Sequence, residues 1–229
     1  MIKKTKIWHI DVADALEKQK IMAQKILQVP LGRPIKVVAG ADCSYSRDGQ
    51  YCLAAVIALS WPELQPLTHS CTVKIVEFPY IPGLLSFREA PALISAVEML
   101  KIAPDVLIID GQGRAHPRRC GLACHVGVEL NLPTIGCAKS RLIGVHRTPA
   151  SPKGSRCRLF DDSEIIGTVL RSRQDVKCLY VSVGHLIELD QSVDIVLDCC
   201  RRYRLPEPTR RAHQMVTKLR LKLDREMII

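Results

Sequence analysis

The sequence predicts an α/β fold in which one mixed sheet is flanked by helices, within a single domain that covers residues 1–229. Three observations support this prediction. The 229 residues are 47% hydrophobic, which is enough for one sizeable core. Strand-like apolar runs come first along the chain and then alternate with segments at helical spacing. The sequence contains neither an internal repeat nor a composition shift typical of a linker between domains.

The first half of the chain predicts a helix, an antiparallel meander and then alternating elements. Residues 11–27 have apolar positions at helical spacing and are followed by Pro30 and Gly32. Strand-like runs cover residues 35–45, 51–60 and 70–77. The turn residues at 47–49 predict that the first two runs pair as a hairpin. The alternating elements are a helix at 87–101, a strand at 105–110, a helix at 119–131 and a strand at 133–137, which favours parallel additions to the sheet.

The second half begins with a segment that we expect to be a long, exposed and mobile loop, residues 147–163, because it contains Pro149, Pro152 and Gly154 among basic residues. The elements expected after it are strands at 164–170 and 177–183 and helices at 191–203 and 208–225. The last helix has apolar residues on one face and basic residues on others, which is typical of a packed, solvated helix; contact with phosphates is the alternative.

The charge of the chain predicts a polyanionic partner. Its 33 basic and 23 acidic residues give a formal net charge of +10, although charge alone does not choose among DNA, RNA and an anionic membrane. No apolar stretch reaches the ~20 residues that span a bilayer, and residues 1–16 are too polar for the core of a signal peptide. We therefore expect a soluble, cytoplasmic protein without a membrane partner.

Ten cysteines raise the question of zinc or disulfides. They contain no C-x-x-C pair, which argues against a zinc site. Several lie in strand-like runs, where a free cysteine packs as a small apolar residue. We expect reduced, mostly buried thiols, as in a reducing compartment.

Three carboxylates follow segments that are suited to position them. Asp42 and Asp110 come after apolar, strand-like runs and before turn-prone residues, so we expect both at strand ends. Glu89 lies in the first turn of a predicted helix, where the helix dipole favours a negative charge. Taken singly, each acid is a cap or turn residue more often than a functional one.

Taken together, the order of these acids resembles that of a ribonuclease H-like sheet, which brings three carboxylates to one point. Two such charges ~5 Å apart repel by about 3 kcal/mol at an effective dielectric constant near 20. A cation must offset this repulsion, and hard oxygen ligands select Mg²⁺, with Mn²⁺ as the alternative. The sequence therefore predicts a metal site formed by Asp42, Glu89 and Asp110.

Other candidate residues lie close to these acids in the sequence. Tyr80 stands between two prolines on a stiff loop, where its ring either packs locally or fills the gap left by a flipped nucleotide. The glycine-rich run that begins at Asp110 lets the backbone approach a substrate, and His116 within it is either a plain loop donor or a catalytic group. Lys139 follows a strand and is either solvated or placed to stabilise charge on a phosphate.

Six stretches of the chain resemble the endonuclease V family, the deoxyinosine-directed nucleases with a ribonuclease H-like fold. These stretches are VVAGADCSYS, PYIPGLLSFREAPAL, DVLIIDGQGRAHPRRCGLACHVG, LPTIGCAKSRL, VSVGHLIELD and YRLPEPTR. The signatures PYIPG-x-LSFRE and DG-x-G-x-x-HPR are highly specific. Gln112, between the two glycines, differs from the His or Asn of many relatives, and residues 147–163 match nothing in the family pattern.

The resemblance implies a role for each matching residue. Asp42, Glu89 and Asp110 are implied to bind metal, Tyr80 to act as a wedge, and His116 and Lys139 to support catalysis. The residues implied to line a pocket for the extruded base are Gly83, Leu85, Gly121 and Leu122.

The implied reaction belongs to DNA repair. It is hydrolysis of the second phosphodiester bond on the 3′ side of hypoxanthine, which leaves a 3′-hydroxyl and a 5′-phosphate. The expected partner is DNA that contains deoxyinosine, bound by a monomeric enzyme; the sequence leaves open whether inosine-containing RNA is also cut. Two alternatives remain: a structure-selective ribonuclease H-like nuclease and a non-catalytic nucleic-acid-binding module.

Overall fold

The computed structural model describes residues 10–226, which form five helices and eight strands. The helices are α1 (Val12–Gln24), α2 (Ser86–Glu98), α3 (Leu122–Leu130), α4 (Leu189–Cys199) and α5 (Glu207–Glu226). The strands are β1 (Val37–Tyr45), β2 (Tyr51–Ser60), β3 (Pro66–Ile75), β4 (Val106–Ile109), β5 (Thr134–Ala138), β6 (Arg156–Asp161), β7 (Glu164–Leu170) and β8 (Leu179–His185). Residues 1–9, most of the polar start discussed above, lie outside the described part.

All eight strands belong to one mixed sheet in the order β3-β2-β1-β4-β5-β8-β7-β6. The first three strands form the expected antiparallel meander. β4 pairs parallel to β1, and β5 pairs parallel to β4. The remaining pairs, β5 with β8, β8 with β7 and β7 with β6, are antiparallel. The predicted α/β class, with a mixed sheet flanked by helices, is confirmed.

The helices cover both faces of the sheet, and strand alternation divides the core between them. On β4, Leu107 and Ile109 pack in one cluster with apolar side chains of α2 and α3. Val106 and Ile108 point the other way and pack in a second cluster with residues of α4 and α5. The central strands are therefore buried on both faces, which explains their continuous apolar runs.

Helix α5 approaches the sheet most closely at Gly40 of β1. A Cβ atom at Gly40 would lie 2.1 Å from the carbonyl carbon of Pro208 and 2.4 Å from the amide nitrogen of Thr209. Only a residue without a side chain permits this contact. The first turn of α5 is thereby fixed against β1, two residues before Asp42.

The prediction of a loop over residues 147–163 is wrong for its second half. Residues 156–161 form the edge strand β6, which pairs with β7, and Val145 makes an isolated bridge to Phe160. Only Leu159 in this strand is buried. Because an edge strand needs few apolar side chains, its polar sequence resembles that of a loop.

Several element boundaries also differ from the expected ones. β3 begins at residue 66 instead of 70, and α4 ends at residue 199 instead of 203. α3 begins at Leu122 instead of 119, because Arg119 has a φ of 56° and Gly121 is extended with a ψ of −169°, and neither conformation is helical. Cys120 therefore precedes the helix. All ten cysteines lie within the described residues and are free thiols, and six of them are buried.

Within residues 10–226, the structure contains no helix with the length and apolar character needed to cross a lipid bilayer.

Candidate active site

The parallel register of β1 and β4 places Asp42 beside Asp110. Ala41 pairs with Ile109, so the two acids are the next residues along neighbouring strands. Each continues the alternating series of side chains that faces α4 and α5, because Val38 and Ile108 belong to the cluster on that face. The sequence predicted both acids at strand ends. Asp42 instead lies inside β1, whereas Asp110 does follow the last residue of β4.

Lys139 reaches the same point from the next strand. Ile135 and Cys137 of β5 pack on the face of α4 and α5, and Lys139 is the next position in that series. Its ammonium group forms an ion pair with the Asp110 carboxylate. A protein ammonium group therefore offsets part of the charge repulsion that was predicted between the carboxylates.

Glu89 lies in the first turn of α2, as predicted, and so it approaches from the face of the sheet that α2 and α3 cover. Its carboxylate oxygen Oε1 accepts a hydrogen bond from the Tyr45 hydroxyl at 3.3 Å, and the Arg88 guanidinium lies 5.0 Å from the centre of the Tyr45 ring. Burial, with smaller contributions from Asp42 and Asp110, raises the pKa of Glu89 to about 7. The three acids are therefore electrostatically coupled.

His213 is a site residue that the sequence reasoning missed. Its ring nitrogen Nδ1 lies 2.7 Å from Oδ2 of Asp42, whose side chain is buried. Burial and then repulsion from Asp110 raise the pKa of Asp42 to about 6, and the His213 hydrogen bond opposes this rise. The sequence offers no local signal for this contact, because His213 and Asp42 are 171 positions apart.

The donors at this point fit a hard divalent cation. Asp42 and Glu89 both hold raised pKa values, in part because each feels a neighbouring carboxylate, and a bound cation would relieve that repulsion. Among residues 10–226, no three His, Cys, Asp or Glu side chains are already gathered as a ready metal site. His213 and Lys139 instead contact the two aspartates.

A second group of candidate residues joins the loop before α2 to the loop before α3. The carbonyl oxygen of Gly83 accepts hydrogen bonds from Arg118 Nη2 at 2.6 Å and from Gln19 Nε2 at 3.0 Å. His116 interacts with the same Gly83 backbone. Gln19 Nε2 also lies 2.7 Å from the carbonyl oxygen of Cys120. The two loops are therefore held together at Gly83.

His116 lies within the loop before α3 and contacts both loops. Its side chain is buried, and Nδ1 accepts a hydrogen bond from the Arg118 amide at 3.2 Å. Burial, with the positive charge of Arg118, lowers the pKa of His116 to about 4. The ring is therefore neutral at physiological pH, and it is suited to hydrogen bonding rather than to carrying a charge.

The remaining candidates surround the junction of the two loops. Tyr80 is 69% exposed, Leu85 is 39% exposed at the start of α2, and Leu122 is 7% exposed at the start of α3. The conformation of Gly83 is left-handed, with φ of 80°. A Cβ atom at Gly121 would lie 2.4 Å from the carbonyl oxygen of Gln112, so this glycine is required by the protein's own packing.

The endonuclease V family profile matches residues 18–214 of the chain. The chain belongs to the endonuclease V family. The matched range includes the three acids, Lys139 and His213, so the family assignment covers the whole carboxylate centre. Endonuclease V enzymes are metal-dependent nucleases, and the resemblance noted in the sequence is confirmed.

Curated endonuclease V proteins are similar to this chain over almost their full length. The protein from Roseiflexus castenholzii is 45% identical over 214 residues, which cover 93% of this chain and 96% of that protein. The protein from Dehalococcoides mccartyi strain BAV1 is 46% identical over 218 residues, which cover 95% and 98%.

Solved structures of endonuclease V share the same fold. The enzyme from Streptomyces avermitilis has a TM-score of 0.90 at 35% identity, covering 94% of this chain and 96% of that one. The Ciona intestinalis enzyme (D234N), solved in complex with a 23mer DNA containing an inosine followed by a ribo-adenosine, has a TM-score of 0.82 at 28% identity, covering 93% and 98%.

Proposed function

We propose that this member of the endonuclease V family nicks DNA that contains deoxyinosine, at the second phosphodiester bond on the 3′ side of the lesion, and acts in DNA repair. The observation that carries the proposal is the convergence of Asp42 and Asp110, with Glu89 electrostatically coupled to both. A nuclease centre needs this arrangement, and a binding module does not. The Ciona intestinalis complex with inosine-containing DNA supports the choice of substrate.

Asp42, Glu89 and Asp110 are the proposed metal ligands, for Mg²⁺ or Mn²⁺. Such an ion supplies Lewis-acid stabilisation of charge on the phosphate and lowers the pKa of bound water. Lys139 and His213 contact two of the carboxylates, and they orient these oxygens. Lys139 is also placed to stabilise negative charge on the phosphate that is cut.

The loops joined at Gly83 are the proposed reading site. Tyr80 is exposed on a proline-bounded loop, so its ring can enter the stack in place of an extruded base. Gly83, Leu85, Gly121 and Leu122 would line the pocket, where a close-fitting backbone excludes the exocyclic amines of adenine and guanine. Flipping costs a few kcal/mol and less for a mispaired base, so single strands and weak I·T pairs are the preferred substrates.

The substrate sugar, assembly and location are further parts of the proposal. The pocket reads a base, so inosine-containing RNA is a candidate second substrate, and the basic surface suits either nucleic acid. A monomer in the cytoplasm is the proposed working form.

His116, neutral at physiological pH, supports catalysis through a hydrogen bond in the pocket and not through a charge.

A cleavage assay tests the proposal on single-stranded inosine DNA, inosine RNA and undamaged controls, with Mg²⁺ and with a chelator. We expect a nick two bonds 3′ of inosine only when metal is present. Asp42→Ala and Asp110→Ala should bind the DNA and lose cleavage by ~10²-fold or more, because the metal is lost. Asp198→Ala, an exposed acid on α4, is the matched control and should cut normally.

Each alternative function predicts a different result of this assay. Equal cutting of matched, undamaged duplexes would indicate a structure-selective nuclease. Binding without cleavage at any metal concentration would indicate a binding module. Full activity of both aspartate variants would remove the proposed metal centre.

A further inference from the structure

Tyr203 lies in a basic segment that none of the roles above explains. It is 42% exposed between α4 and α5, and the carbon Cζ of Arg210 lies 4.3 Å from the centre of its ring. Cζ of Arg202 lies 5.9 Å from the same centre. An exposed aromatic ring beside guanidinium groups is the combination that single-stranded nucleic acid uses for stacking and phosphate contacts.

The segment that carries Tyr203 is held by hydrogen bonds beside the carboxylate centre. Arg204 Nη2 donates to the carbonyl oxygens of Lys139 at 2.9 Å and of Cys178 at 2.8 Å. The carbonyl oxygen of Arg204 accepts from the Ser172 hydroxyl at 2.6 Å. The residue next to Tyr203 therefore binds the main chain of the lysine whose ammonium group contacts Asp110.

Helix α5 places the other side of the ring in the same way. Arg210 precedes His213 by three residues, so both lie on one face of the helix about one turn apart. His213 contacts Asp42, and Arg210 is held by Glu207 through bonds of 2.7 and 3.2 Å. The Tyr203 ring is thus one helical turn from the residue that touches the metal-site aspartate.

The ring and the base-reading loops lie on opposite faces of the sheet. The loop before α2 belongs to the face of α2 and α3, whereas the segment from Tyr203 to Arg210 leads into α5 on the other face. Asp42 and Asp110 continue the series of side chains that faces α4 and α5, which is the face that carries Tyr203. A strand whose lesion is read on the first face and cut at the carboxylates would continue in the 3′ direction towards Tyr203.

We infer that Tyr203, with Arg202 and Arg210, forms a binding subsite for the DNA strand on the 3′ side of the cut. The inference rests on the proposed function. Tyr203 stacks on a base beyond the first nucleotide after the cut bond, and Arg202 contacts a phosphate there. The subsite binds without regard to sequence, because every base has a face on which a ring can stack.

The test compares two single-stranded inosine substrates that differ only in length beyond the cut bond. One carries a long 3′ flank, and the other ends one nucleotide after the cut. Wild type should favour the long flank in kcat/KM by about tenfold, the effect of one stacked base. Tyr203→Ala should lose most of this preference through KM, and Tyr203→Phe should keep it.

The ratio between the two substrates separates binding from folding. Both substrates are cut by the same preparation, so a loss of folded protein lowers both rates equally and leaves the ratio unchanged. Arg202→Gln, at an exposed position, is the second variant and should lower the preference and weaken its dependence on salt. A preference that is unchanged in both variants would overturn the subsite. Failure of wild type to cut inosine DNA would instead overturn the proposed function.

Discussion

At the scale of single residues, the fold raises the pKa values of Asp42 and Glu89 at the candidate centre. Both acids are removed from water and lie near other carboxylates, so their protonated forms are favoured. Tyr45 and His213 oppose this tendency by hydrogen bonding to the ionised forms. The protein therefore holds carboxylates that are costly to ionise until a cation arrives.

Glu89→Gln should stabilise the metal-free protein at pH 8. The folded pKa of Glu89 is about 7 against an ordinary value of 4.5. The unfolded chain therefore releases the proton first, and stability is lost as the pH rises from about 4.5 to 7. The neutral amide avoids this loss, by on the order of 1–2 kcal/mol after solvent screening.

Thermal unfolding in a chelator measures this effect. The gain should be present at pH 8 and vanish near pH 4.5. Glu98→Gln, an exposed position at the end of the same helix, is the control and should change little at either pH. Equal melting of Glu89→Gln and wild type at pH 8 would argue against burial of an ionised Glu89.

Tyr80→Ala should reduce the preference for inosine over adenine, and it should leave the metal dependence of cleavage unchanged. The exposed ring contributes stacking of ~1–3 kcal/mol when it replaces a base, so cutting of inosine DNA should fall about tenfold or more at unchanged metal dependence. Tyr80→Phe keeps the ring and should retain discrimination. A variant whose preference for inosine over adenine matches wild type would exclude the wedge role.

The elements position the site through close backbone contacts, and glycines permit two of these. Gly40 lets α5 lie directly on β1, which brings His213 to Asp42. Gly136 of β5 does the same for the glycine-rich loop, since a Cβ atom there would lie 2.2 Å from the Gly113 amide nitrogen. The β6–β7 hairpin supports this loop from outside, because Glu164 pairs with Arg114 and Arg119. 

Gly40→Ala should displace α5 and weaken both folding and cleavage. The new methyl group would overlap the Pro208 backbone, which cannot move without the helix. We expect a loss of about 1–3 kcal/mol in the free energy of unfolding and a fall in kcat at saturating metal. Gly32→Ala is the matched control, because no atom lies within 4 Å of its Cβ position; equal behaviour of the two variants would contradict the contact.

The whole molecule combines a sharply acidic centre with a basic surface. A formal net charge of +10 on 229 residues attracts a polyanion, whereas Asp42 and Asp110 lie side by side on the central strands. Electrostatic attraction therefore contributes to affinity for nucleic acid. In the proposed function, the loops joined at Gly83 select the base and the carboxylate centre cleaves the strand.

Binding to DNA should weaken steeply as salt rises. Each neutralised phosphate lowers log K by about 0.7–0.9 per tenfold increase in salt. Inosine DNA and undamaged DNA of equal length should give similar slopes in a fluorescence anisotropy titration, since the backbone is common to both. A flat profile would show that the basic surface does not contact the strand.

The sequence alone determined the fold class and most of the helices and strands, because apolar periodicity is a local property of the chain, and its specific motifs predicted the three acids as metal ligands. It did not show β6, since a polar edge strand resembles a loop, nor the contact of His213 with Asp42 across 171 positions. The tertiary structure decided these features, together with the contact of His116 with the Gly83 backbone and the place of Tyr203. Strand register and helix packing bring distant residues together, and neither is written in any one segment.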